Sequence, residues 1–165
     1  MNAVQRAWQV LESVPDPEIP VVSIRELGIL RAVNERNGEL EVVITPTYSG
    51  CPAMGQIEED VRAALAASDL QGHVVTQLAP AWTTDWITDE AKQKLRAFGI
   101  SPPHAVAQDN VVRFARRSAN VAQAVPCPHC GSANTTETSH FSSTACKALY
   151  KCLDCLEPFD YFKPY

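Results

Sequence analysis

The first regular hydrophobic pattern runs from Ala3 to Ser13, where Val4, Trp8 and Leu11 recur at helical spacing. That period predicts an amphipathic helix with its stripe buried. The helix must stop at Val14-Pro15-Asp16-Pro17-Glu18-Ile19-Pro20, because prolines this close together forbid helix and predict an extended, rigid segment. Gly28 to Val33 and Glu39 to Thr45 read as strands, the second setting Leu40, Val42 and Ile44 against Glu39, Glu41 and Val43. Asn37-Gly38 between them tolerates positive φ and predicts a tight hairpin. Pro52 suits a first helical position, and Ile57, Val61, Ala64 and Leu65 mark the buried face of a helix ending near Ser68. His73 to Leu78 gives a third strand, which a helical crossover places parallel to the second, and Pro80 ends it. Trp82-Thr83-Thr84-Asp85-Trp86 is an aromatic loop that suits core-edge packing or a cover over the loop at Cys51. Thr88 as N-cap, Asp89 and Glu90 in the first turn, and Ile87, Ala91, Leu95 and Phe98 as apolar face predict a last helix, closed by Gly99 and Pro102-Pro103.

The expected fold class is α+β: a small mixed three-stranded sheet packed with helices over residues 1–100, followed by a separate C-terminal module over 126–165. Between them, residues 101–125 shift to Pro, Ala, Gln and Asn with Arg113, Arg116 and Arg117, and read as a linker in which Val111-Val112-Arg113-Phe114 is a candidate short strand. The 165 residues suffice for one ordinary domain and a module too small to bury a sufficient core of its own. With 14 basic and 19 acidic residues the net charge is −5, which makes nucleic acid and anionic membranes poor partners. No run approaches the roughly 20 apolar residues of a membrane span, and Met1-Asn2-Ala3-Val4-Gln5-Arg6 lacks a signal-peptide core, so the expected location is cytoplasmic.

Chemistry concentrates in the cysteines. Cys127-Pro128-His129-Cys130 and Cys152-Leu153-Asp154-Cys155 are two Cys-x-x-Cys knuckles with 21 residues between them. Each can aim two thiolates at one ion, and four sulfurs close a tetrahedral shell that suits structural Zn²⁺, since no position is left open for water. Two disulfides, or iron in the same cage, are the competing readings. Cys146 falls outside this shell. Cys51 lies in Thr45-Pro46-Thr47-Tyr48-Ser49-Gly50-Cys51-Pro52, where the expected helix begins. A helix N-terminus favours thiolate over thiol, so Cys51 is expected to have a lowered pKa and to be nucleophilic or metal-binding; the bland alternative is a small buried cysteine. Asp16, between two prolines, reads by itself as a turn residue.

Two resemblances bear on these residues. Asp16-Pro17-Glu18 with Ile24-x-x-Leu27-Gly28, and Thr45-x(5)-Cys51-Pro52, resemble the SufT-like family of iron-sulfur assembly domains. Phe141-Ser-Ser-Thr-Ala-Cys-Lys-Ala-Leu-Tyr150 with Glu157-Pro-Phe-Asp-Tyr-Phe-Lys163 resembles the tail of the D-subunit family of the bacterial phenylacetyl-CoA epoxidase system. Ser142 departs from an expected glycine and Pro164 from a frequent cysteine, so no role passes to a terminal thiol. The resemblance implies a C-terminal zinc ribbon on Cys127, Cys130, Cys152 and Cys155, and a pocket of Cys51, Asp16 and Glu18 that handles iron or an iron-sulfur cluster transiently. It further implies an accessory maturation protein rather than an enzyme, whose partners are the oxygenase and reductase subunits of the epoxidase. One thiolate and two carboxylates are too few for a stable cluster, so the site is shared or transient, and a homodimer is one way to share it.

Two other functional classes compete. A non-catalytic structural or regulatory subunit would use the same ribbon, with Phe141, Tyr150, Phe159, Tyr161 and Phe162 expected as its exposed docking surface. A thiol hydrolase would need a histidine beside Cys51, and His73, His104, His129 and His140 sit in no motif that places one there.

Overall fold

The computed structural model describes residues 1–104 and 124–165, so the candidate strand at Val111–Phe114 and the arginines at 113, 116 and 117 lie outside the described residues. The chain divides into two compact units, Met1–Leu95 and Arg96–Tyr165. Among the described residues no helix is long and apolar enough to cross a membrane.

The first unit opens with α1, Ala3–Leu11, which Asn2 and Gln5 start through a reciprocal capping box. Ala7 and Leu11 are its buried residues. The proline-rich stretch that follows is rigid but not extended. It doubles back on itself: the Ile24 N–H donates to Val14 O and the Asp16 N–H to Val22 O, both at 2.9 Å. Strand β1, Leu30–Arg36, and β2, Glu39–Ile44, are antiparallel, joined by Asn37 and Gly38 at φ 54° and 85°. That pair of positive φ values is the hairpin expected from Asn-Gly. Helix α2, Met54–Ala67, leads to β3, Gly72–Thr76, which pairs parallel to β2 from Leu40↔Gly72 to Ile44↔Thr76. The sheet is therefore mixed, in the order β1-β2-β3. A central strand can be covered on both faces, and β2 is: Val43, expected on the polar side, is buried along with Leu40, Val42 and Ile44. Ile57, Val61 and Leu65 of α2 and Leu11 of α1 complete this apolar core.

A bulge between Leu30 and Ala32 breaks the β1 register and leaves Arg31 with its guanidinium 3.5 Å above the Trp86 ring. Trp82 is buried, and its Nε1–H donates to Leu27 O at 2.9 Å. The aromatic loop thus packs against the Leu27-Gly28 turn. Gly28 needs to be glycine there: its φ is +75°, and a Cβ would fall 2.6 Å from Trp86 Cβ and 3.0 Å from Trp86 O. Helix α3, Asp89–Ala97, is capped by Thr88 Oγ1, which accepts from the Ala91 N–H at 3.1 Å. Phe98, expected on its apolar face, lies beyond the last turn and is largely exposed.

The second unit is a four-stranded sheet, in the order Ile100–Ser101 (β4), Pro158–Phe162 (β7), Lys147–Cys152 (β6), Thr135–Ser139 (β5). Strands β5 (Thr135–Ser139), β6 (Lys147–Cys152) and β7 (Pro158–Phe162) form an antiparallel meander. The short β4, Ile100–Ser101, pairs parallel to β7, and the Ser101 hydroxyl donates to Pro126 O at 3.0 Å. Its core is small: Val125, Cys127, Cys152, Phe159 and Tyr161.

Candidate metal centre and thiol pocket

In the second unit the sulfur atoms of Cys127, Cys130, Cys152 and Cys155 all lie within 4.8 Å of one another. Cys127 Sγ is 3.8 Å from Cys155 Sγ, and Cys130 Sγ is 3.6 Å from Cys152 Sγ. A disulfide requires about 2.05 Å, so these are not bridges. Sulfurs about 2.3 Å from a central Zn²⁺ define a tetrahedron with an edge of about 3.8 Å, and the cross-knuckle distances fit that edge. Each knuckle is tied by its own backbone. The Gly131 N–H donates to Cys127 O at 2.9 Å, and the Cys155 N–H points at Cys152 Sγ from 3.5 Å. That N–H, with the neighbouring one at Asp154, holds the Cys152 thiol down at about 7, while burial and the neighbouring sulfurs push the Cys155 thiol up to about 12, so the four sulfurs titrate as one group. Ser132 and Asn134 of the first knuckle's loop donate to the Asp154 carboxylate of the second, the latter at 2.7 Å, and stitch the knuckles together. Cys146 is elsewhere, buried, with its sulfur 3.0 Å from Thr144 Oγ1. His129 is outside the sulfur group.

The first unit holds the thiol pocket. Helix α2 begins at Met54, two residues later than Pro52 suggested, with Ala53 as an N-cap that supplies no side-chain hydrogen bond. Cys51 therefore lies in the loop before the helix and not on its first turn. The sulfur is half-buried and takes hydrogen bonds from the Ala53 N–H and the Thr47 side chain. Those donors favour thiolate, but they lose to burial, with the negative fields of Glu18 and Asp16 adding to it, and the Cys51 pKa is raised. The expectation of a lowered pKa is thus overturned. The dipole's influence fades beyond the first turn, and the carboxylates lie on the wrong side of the balance.

The negative charges of Glu18 and Asp16 nevertheless both act on the Cys51 sulfur. Asp16 is buried, and its Oδ1 accepts from the Glu18 N–H at 2.9 Å and the Ile19 N–H at 2.8 Å. The turn role is real. Thr47 was not singled out from the sequence; a threonine shortly after a strand gives no sign that its hydroxyl turns towards a sulfur.

Residues 113–163 match the family model described as PaaD zinc beta ribbon domain, and residues 5–77 match that described as iron-sulfur cluster assembly protein. An Escherichia coli (strain K12) protein, named provisionally as the D subunit of 1,2-phenylacetyl-CoA epoxidase, is 45% identical over 97% of this chain and 92% of its own. The chain belongs to the D-subunit family of phenylacetyl-CoA epoxidase. The four-cysteine cluster lies inside this family's zinc ribbon, and the C-terminal string of the D-subunit family is the β6–β7 hairpin, which pairs Lys147 with Phe162 and Tyr150 with Phe159. The first unit has relatives of its own. Fe-S protein maturation auxiliary factors of Porphyromonas gingivalis and Bacillus subtilis are 33% and 36% identical, covering 53% and 50% of this chain and 85% and 82% of theirs. A crystal structure of a domain of unknown function, DUF59, from Bacillus anthracis superposes with a TM-score of 0.52 at 30% identity, covering 56% of this chain and 91% of that one.

The docking surface expected on the ribbon needs correction. Phe159 and Tyr161 are buried and Tyr150 is half-buried, because one face of the β6–β7 hairpin turns these rings into the core, and Phe162 is buried on the opposite face. Phe141 alone of that set is exposed.

Proposed function

We propose that this protein is an accessory maturation factor of the phenylacetyl-CoA epoxidase system. It assists assembly of the iron or iron-sulfur centres of the oxygenase or reductase subunits in aerobic phenylacetate catabolism, and is not itself an enzyme. The reading is supported by Cys51, a half-buried thiol whose sulfur feels the charges of Glu18 and Asp16, in a unit related to Fe-S maturation auxiliary factors. Iron or a cluster is the cargo here. A resting pocket that holds Cys51 as the neutral thiol suits transient custody: an arriving cation displaces the proton, and release restores it. In the ribbon, Cys127, Cys130, Cys152 and Cys155 hold a structural Zn²⁺ that sets the fold of a module with too little core to stand alone.

The deciding experiment is Cys51→Ser in cells grown on phenylacetate. The variant should fold, keep its zinc and bind its partners, while oxygenase and reductase subunits purified from those cells are short of iron or cluster. Normal client metallation would remove the carrier role and leave a structural subunit of the complex.

A further inference from the structure

The two knuckles repeat one backbone turn and differ at the residue that follows it. Gly131 follows Cys130 at φ +77°, and Leu156 follows Cys155 at φ +66°. A Cβ on Gly131 would meet nothing within 4 Å, so glycine serves the backbone there and nothing else. Glycine is the default occupant of this left-handed region, where a side chain crowds the following carbonyl oxygen. Leu156 accepts that strain while remaining 64% exposed, so burial within its own chain does not offset it. Leu153, in the same knuckle, is 48% exposed. Two large aliphatic side chains therefore stand out from a metal-binding turn of the ribbon, one of them at a position its own fold disfavours.

We propose that Leu153 and Leu156 form a docking tip that inserts into an apolar cleft with a cationic rim on a subunit of the epoxidase. This rests on the reading that the chain serves the epoxidase system, and it adds which residues make the contact. Charge selects the kind of partner. From residue 151 to 157 the chain carries Asp154 and Glu157, both exposed, against the single cation of Lys151. A second copy of this chain, with its net charge of −5, opposes that acidic surround. A basic-rimmed cleft complements it.

The test uses the full-length, zinc-loaded chain with purified oxygenase and reductase subunits as probes, and the substitution Leu156→Gly. Exposed anchors that fill a partner's pocket dominate affinity, so binding to one of the two subunits should weaken by about tenfold or more. The ribbon's unfolding midpoint should hold or rise, because the strained side chain is gone. Leu153→Ser should weaken the same binding, and wild-type binding should fall with added salt. Unchanged affinity in Leu156→Gly, or no binding of the wild type to either subunit, overturns the proposal. A lowered midpoint overturns it too, by showing that leucine holds the knuckle from within. A wild-type dimer in sedimentation that Leu156→Gly dissolves would assign the tip to a second copy and reject the cationic cleft. Failure here is separable from failure of the maturation reading, which rests on client iron in Cys51→Ser.

Discussion

Replacing Cys152 by serine is the sharpest test of the metal centre. Cys152 is fully buried in the ribbon core beside Cys127, Phe159 and Tyr161, and its Sγ sits 3.6 Å from Cys130 Sγ across the site. Serine is near in size, so packing changes little, but a hydroxyl does not ionise at neutral pH and is a poor Zn²⁺ ligand. A structural zinc contributes on the order of 10–16 kcal/mol to a small module at neutral pH. That matches or exceeds the roughly 5–15 kcal/mol that holds a whole ordinary domain together. Even partial loss of the site should therefore unfold the ribbon. Zinc content by elemental analysis should fall from about one ion per chain towards zero. The amide resonances of 126–165 should collapse to unfolded dispersion while those of the first unit, a separate compact body, keep theirs. Cys146→Ala should retain zinc, since its sulfur faces Thr144 and not the cluster. Acid should mimic Cys152→Ser. The Cys152 pKa is depressed to about 7 by the Cys155 and Asp154 N–H groups, so its contribution is present at alkaline pH and lost as pH falls through that value; a bound cation carries the loss to lower pH still. Full zinc retention in Cys152→Ser, iron in place of zinc, or loss of zinc in Cys146→Ala would each refute this account.

The first unit supplies two more. Asp16→Ala removes an acceptor from two backbone N–H groups and should cost about 1–3 kcal/mol in chemical denaturation, whereas Asp16→Asn keeps Oδ1 and should cost little. Because Asp16 raises the Cys51 pKa, Asp16→Asn should shift the pH profile of Cys51 alkylation to lower pH; an unmoved profile would separate Asp16 from the pocket. Gly28→Ala should destabilise the unit by about 3 kcal/mol or more, since its Cβ would lie 2.6 Å from Trp86 Cβ at a φ that disfavours side chains. A loss below about 1 kcal/mol would mean the Trp86 loop yields easily.

Local rules made the elements legible. The helical stripes, the Asn37-Gly38 turn and the Thr88 cap depend on neighbours within a few residues, and so does a Cys-x-x-Cys knuckle, whose spacing alone sets two sulfurs on one side of a turn. The pairing of the knuckles was readable for the same reason: four cysteines in two matched pairs leave one tetrahedron to build. Three outcomes were not local. Whether Cys51 favours thiol or thiolate is a sum over burial, two hydrogen bonds and two carboxylates from Asp16 and Glu18, far back along the chain, and only the folded pocket fixes the sign. Whether Phe159 and Tyr161 face solvent depends on which side of the β6–β7 hairpin carries the core, and Phe162 is buried on the other side, so aromatic content cannot decide which rings are exposed. The Gly28 of the Leu27-Gly28 motif could be named but its contact with Trp86 could not, and Leu156 was invisible: a backbone angle decides what each position tolerates, and in a sequence a strained leucine is spelled like any other.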